Sequence, residues 1–164
     1  MDLTFNPDFS QVEVDDQVVN LTRFAISLPE KRQFFTQNDD LFKDFGQNRD
    51  VIPFFSRRIG VAQDLDGNTI ENKIIAGIRL SGKLNSNLRL GFLNMLTDSD
   101  VNNQIASNLN TVFTLRQKVF DRSNMSFFFI DRRTAGEFYF IDKQDKKNSV
   151  TGIEYNLASP DSKW

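Results

Sequence analysis

The sequence predicts an all-β fold: an antiparallel meander forming part of an outer-membrane β-barrel, open in this chain and preceded by an irregular N-terminal segment. Three observations predict it. From about residue 72 onward apolar and polar side chains alternate with a period of two. The alternating runs are joined by connections that are short and long in turn. No apolar run approaches the ~20 residues that a membrane helix needs, whereas barrel strands cross a bilayer in about nine to eleven alternating residues and never show such a run.

The first run, NKIIAGIRLSGKL (72–84), places Ile74, Ala76, Ile78, Leu80, Gly82 and Leu84 on one face and Gly77, Arg79, Ser81 and Lys83 on the other. Asn85-Ser86 then predicts a tight turn into NLRLGFLNMLT (87–97), where Leu88, Leu90 and Phe92 alternate with Arg89 and Gly91. TVFTLRQKVF (111–120) sets Phe113, Leu115 and Val119 opposite Thr114, Arg116 and Lys118. A turn at 121–123 leads into MSFFFIDRRT (125–134), which is apolar on both faces through Phe127, Phe128 and Phe129. VTGIEYNLA (150–158) supplies the last strand, before the turn signal SPDS. Polar loops around 97–110 and 135–149 alternate with the short turns, as external loops alternate with periplasmic turns in outer-membrane barrels.

The division expected is a segment over 1–70 that belongs to the barrel or folds inward, and a hairpin meander of the wall over 71–164, the two forming one continuous but incomplete domain. Strand-prone stretches around Val12, Val14, Val18, Val19 and Ile26 are interrupted by Pro7 and acidic pairs. KRQFFTQNDDLFKDFG (31–46) suits a short amphipathic turn or helix carrying Phe34, Phe35, Leu41, Phe42 and Phe45.

Composition narrows the chemistry. The chain has 164 residues with neither cysteine nor histidine, which removes thiolate nucleophiles, disulfides, Ser-His-Asp catalysis and histidine-ligated zinc. Its 20 basic and 22 acidic residues give a net charge of -2, which speaks against nucleic acid as a partner. Phenylalanine is the outlier, 17 residues against one Trp and two Tyr, mostly in short runs that also carry charge. The start, MDLTFNPDF, lacks the basic and apolar stretches of a signal peptide. No cofactor is expected.

The run NPDFSQVEVDDQVVNLTRFAISLPEKRQFF, followed by DLF, PFFSRRIG and IIAGIRLSGKL, closely resembles a Gram-negative outer-membrane family catalogued as domain of unknown function 5916. The resemblance implies a two-part design: a signal peptide and an N-terminal sandwich similar to family-9 carbohydrate-binding domains, then a long C-terminal β-barrel. It places this chain in the first part of that barrel, as a fragment lying in the outer membrane of a Gram-negative bacterium. The implied partners are outer-membrane lipid, the remainder of the same polypeptide, and a glycan or other polar solute.

Several clusters are candidates for a site. Glu30, Lys31 and Arg32 can line a lumen or its mouth and grip a ligand, or pair with Arg57, Arg58, Arg79 or Glu154 to hold an inward-folded segment; unpaired charge in a partly desolvated lumen is costly, which favours the pairing. Arg57 and Arg58, like Arg79, suit bidentate recognition of an anion or a structural ion pair. Asp64, Asp66 and Asn68 around Gly67 resemble the start of a calcium loop, but Glu71 lies too close to be the distal glutamate of the helix-loop-helix version, and Asp-Gly is ordinary hairpin chemistry. Asp8 with Glu13, or Asp15 with Asp16, are the pairs a glycosidase reading would use, without any sign of a cleft between them.

The function expected is that of a non-catalytic barrel wall that binds or passes a polar ligand such as a glycan. Two alternatives stand beside it: part of a carbohydrate-active hydrolase whose carbohydrate-binding domain lies elsewhere, and a soluble β-sandwich binding module.

Overall fold

The structure, a computed structural model, describes residues 1–5, 30–43, 45 and 53–158. Strand β1 (Asp2–Phe5) is followed by two single-turn helices, α1 (Gln33–Thr36) and α2 (Asp40–Lys43), and a 3-10 turn over Ser56–Arg58. A small hairpin, β2 (Val61–Gln63) and β3 (Thr69–Glu71), precedes the meander β4 (Ile74–Lys83), β5 (Leu88–Thr97), β6 (Asn108–Phe120), β7 (Ser123–Thr134) and β8 (Lys147–Asn156). All five strands expected from the alternation form. Three of them begin two or three residues earlier than the alternation suggests, because pairing with a neighbour supplies backbone hydrogen bonds whatever the side-chain pattern. The stretches around Val12 to Ile26 and the SPDS turn lie outside the described residues.

The large sheet is antiparallel in the order β1-β4-β5-β6-β7-β8, and it is open. Residues 2–5 add as an edge strand to β4, with Leu3 opposite Ile78. The connections keep the expected rhythm: Leu84 donates to the Leu88 carbonyl across the first turn, Asn85 Oδ1 accepts from the amides of Asn87 and Leu88, and β6 and β7 are joined through Asp121-Arg122 alone.

Register assigns every side chain to a face. One face carries Gly77, Arg79 and Ser81 from β4, Arg89, Gly91, Leu93 and Met95 from β5, then Val112, Thr114 and Arg116, and Ser126 and Phe128. The helical segment and residues 53–60 cover this face. Phe35, Leu41, Phe42 and Ile59 pack with Leu93, Met95 and Val112, while the Phe45 ring lies 4.6 Å from that of Phe128. Each such burial contributes on the order of 1.5–3 kcal/mol, so the aromatics of KRQFFTQNDDLFKDFG hold the segment to the sheet. Gly91 makes room for it: a Cβ there would stand 3.0 Å from the Phe42 ring.

The other face is apolar, and among the described residues nothing covers it. It presents Leu3, Phe5, Ile78, Leu80, Phe92, Phe113, Leu115, Phe127, Phe129 and Ile153. Along β4 the arrangement is inverted relative to a water-soluble sheet: Arg79 is 1% exposed, whereas its neighbours Ile78 and Leu80 are 42% and 43% exposed.

Candidate functional site

The covered face is held by arginines projecting from alternate sheet positions. Arg89 and Arg116 are direct cross-strand partners on β5 and β6. Both reach Asp40 at the start of α2: Arg89 donates to its two carboxylate oxygens, and Arg116 donates from Nη1 to Oδ2 at 3.3 Å and from Nη2 to the Asp40 carbonyl at 3.1 Å. The hydrogen bond from Arg89 is the largest influence on the Asp40 carboxyl, and together with both positive charges it holds that carboxyl below its ordinary value. One strand away, Arg79 donates from Nη1 to the Phe34 carbonyl, and its guanidinium sits 5.0 Å from the Phe42 ring. The inward segment is thus latched at both of its helical turns.

The PEKR cluster is a clasp between two parts of that segment. Glu30 accepts hydrogen bonds from the Arg32 backbone amide, Arg32 Nε and Nη2, and Ser56 Oγ. Arg32 donates further to the carbonyls of Ile59 and Ser56, at 2.6 and 2.9 Å, and stacks 4.3 Å from the Phe35 ring. Burial alone would raise the Glu30 carboxyl, but the hydrogen bonds from Arg32 and Ser56 outweigh it and the net shift is downward, opposite to what a general acid needs. Glu30 therefore finds its partner two residues along the chain, not among Arg57, Arg58, Arg79 or Glu154. Lys31 is exposed. Gly60, at φ +91, brings the backbone close enough for Arg32 Nη1 to lie 3.3 Å from where a Cβ would stand.

Arg57 and Arg58 sit in the 3-10 turn, not on an extended strand. Arg58 lines a cleft of about 300 Å³ between Pro53–Val61 and the covered face of the sheet. The sheet wall is a polar row, Asn110 on β6, Arg132 on β7 and Asn148 on β8, in direct cross-strand register. Asn108 adds another amide: its Nδ2 donates to the Ala106 carbonyl, and its Oδ1 is buried without a hydrogen-bond partner among the described residues. Phe54 and Phe55 form an apolar part of the opposite wall. Among the described residues no carboxylate lines the cleft, and neither Arg58 nor Arg132 has an acidic partner.

In DLDGNT the Asp64 carboxylate is used locally. It accepts from the amides of Asp66 and Asn68 and from Asn68 Nδ2, closing the turn between β2 and β3 around Gly67 at φ +83. Among the described residues no group of three or more acidic side chains stands together as a cation site. Asp8, Glu13, Asp15 and Asp16 lie outside the described residues. The alternation already marked Arg89 and Arg116 as facing with Arg79, but nothing in the sequence tied them to Asp40, and Arg132, Asn108, Asn110 and Asn148 carried no motif at all.

A family model described as Domain of unknown function (DUF5916) matches residues 1–141. No curated protein and no solved structure matches the chain.

Proposed function

Since the chain belongs to the family described as Domain of unknown function (DUF5916), we propose that it is a wall segment of an outer-membrane β-barrel with residues 30–43 and 53–60 folded against its inner face, and that this interior binds or passes a polar solute such as a glycan. The observation that carries the reading is the distribution of side chains between the two faces. Arginines, threonine and serine lie under a covering segment beside the apolar core of Leu93, Met95 and Val112, and an apolar face is turned outward. A barrel in lipid requires this distribution, because its outside meets hydrocarbon and its inside holds water and polar side chains.

The outline of the apolar face adds support. On β4 the outward apolar side chains begin at Ala76, in the register row shared with Leu96, Leu109, Arg133 and Lys147. The next row along runs Ile78, Asn94, Thr111, Asp131 and Ser149; on β8 the apolar side chains begin only at Ile153, three rows beyond Ala76. Leu96 and Leu109 aside, β5, β6 and β7 begin theirs together at Phe92, Phe113 and Phe129, so the limit steps across the sheet from β4 to β8, in the sense in which a membrane plane cuts tilted barrel strands. The open edges of β1 and β8 are where further strands of the same polypeptide complete the wall.

The absence of cysteine makes a direct test available. Single cysteines at Leu80, Phe113 and Ile153, labelled with an environment-sensitive fluorophore and reconstituted in vesicles, are expected to be quenched by lipid-attached quenchers, while labels at Lys83 and Glu154 are not. Equal quenching of both sets, or a folded, monodisperse chain in detergent-free buffer, overturns the membrane reading and favours a soluble sandwich.

A further inference from the structure

The cleft behind Phe54 and Phe55 has a chemistry of its own. Two solvent-exposed arginines, Arg58 and Arg132, line it from opposite walls, and among the described residues neither has a carboxylate partner. Elsewhere on the same face Arg89 and Arg116 share Asp40, while Arg79 gives one nitrogen to the Phe34 carbonyl. The arginines of the cleft are left to water or to a ligand, and arginine's planar fork suits a carboxylate or phosphate. Beside them stand the side-chain amides of Asn108, Asn110 and Asn148. Asn110 and Asn148 stand in direct register with Arg132, and their amides can donate to or accept from hydroxyls. The apolar wall from Phe54 and Phe55 suits the C–H face of a small ring.

We propose that this cleft is a binding subsite for an acidic, hydroxylated solute of about monosaccharide size, a sugar acid, with Arg58 and Arg132 taking the carboxylate and the asparagine amides taking hydroxyls. The proposal rests on the covered face being a barrel interior and narrows its solute from polar to anionic. A neutral sugar leaves both arginines without an anionic partner, and an inorganic anion leaves the asparagine amides and the apolar wall unused.

The test is titration calorimetry of the full chain in detergent micelles with galacturonate, glucose and inorganic phosphate as separate probes, on the wild type and on Arg58→Gln and Arg132→Gln. Lys83→Gln, at the opposite end of the same face, serves as control, and circular dichroism verifies that each variant is folded. Galacturonate is expected to bind in preference to both other probes. Its affinity is expected to fall roughly tenfold or more in each arginine variant, as for a lost charged hydrogen bond, and to stay unchanged in Lys83→Gln. Phosphate binding as tightly as galacturonate overturns the sugar-acid assignment. Absence of galacturonate binding, or binding indifferent to both arginine variants, overturns the subsite altogether. Lipid quenching at Leu80, Phe113 and Ile153 is read separately, so a failed subsite leaves the barrel standing and a failed barrel shows itself without reference to ligand.

Discussion

Single residues show how closely the covering segment is fitted to the sheet. At Gly91 a Cβ would lie 2.5 Å from Thr114 Oγ1 and 3.0 Å from the Phe42 ring, so any side chain there pushes against the covering helix. At Gly82, on the uncovered face, a Cβ would meet nothing within 4 Å. Gly91→Ala is therefore expected to cost about 1–3 kcal/mol through overpacking, and Gly82→Ala to change stability by no more than about 0.5 kcal/mol. Urea unfolding of the two variants in the same micelles measures the difference. Equal effects would mean that Phe42 does not rest on β5. The sequence marked both glycines only by their place in an alternating run; which of them touches a ring depends on what lies across the face, and periodicity carries no information about that.

Among the elements, the single-turn helix α2 depends on its ion pairs more than on its own backbone. A four-residue helix has almost no intrinsic stability, so its position is set by Leu41 and Phe42 beneath it and by Asp40 between Arg89 and Arg116. Because the folded state lowers the Asp40 carboxyl below the ordinary 3.8, the latch contributes fully above that value and is lost as pH falls through the lower folded value. Hydrogen exchange over residues 33–43 is expected to be slow and pH-insensitive in its protection from pH 7 to pH 5, and to lose protection only below about pH 4. Asp40→Asn is expected to lower local protection by roughly 1 kcal/mol at pH 7, kept modest by the partial exposure of the pair, and to flatten the acid dependence. Protection that collapses already between pH 7 and pH 5 would place the sensitive group elsewhere. The amphipathic pattern of residues 31–46 made a short helical turn legible and singled out its aromatics. Asp40 was not legible as the anchor, because its partners lie 49 and 76 residues further along the chain.

At the scale of the whole molecule, the two faces differ in the cost of charge. Phe113 lies on the outward face between Phe92 and Phe129, one row from the polar side chains of Asn94, Thr111 and Asp131. On the proposed barrel reading, Phe113→Arg is expected to destabilise the folded chain in vesicles by about 1–2 kcal/mol, between the interfacial and midplane penalties of an arginine. Lys83→Arg, at the exposed end of the covered face, is expected to fall within about 0.5 kcal/mol. Reversible denaturant titration in vesicles checks both, and an Phe113→Arg variant as stable as its parent would count against lipid contact at that band.

The sequence by itself determined the strand class, the positions of the five long strands, their alternation of short and long connections and the sorting of side chains into two faces. These follow from the period of two along each strand, which is a local property of the chain. Only the tertiary structure decided which face is covered, that Asp40 and the Phe34 carbonyl are what the arginines of that face hold, and that Arg58 and Arg132 line one cleft. Those outcomes depend on register between strands and on the return of a distant segment over the sheet, and contacts of that range leave no mark in the spacing of neighbouring residues.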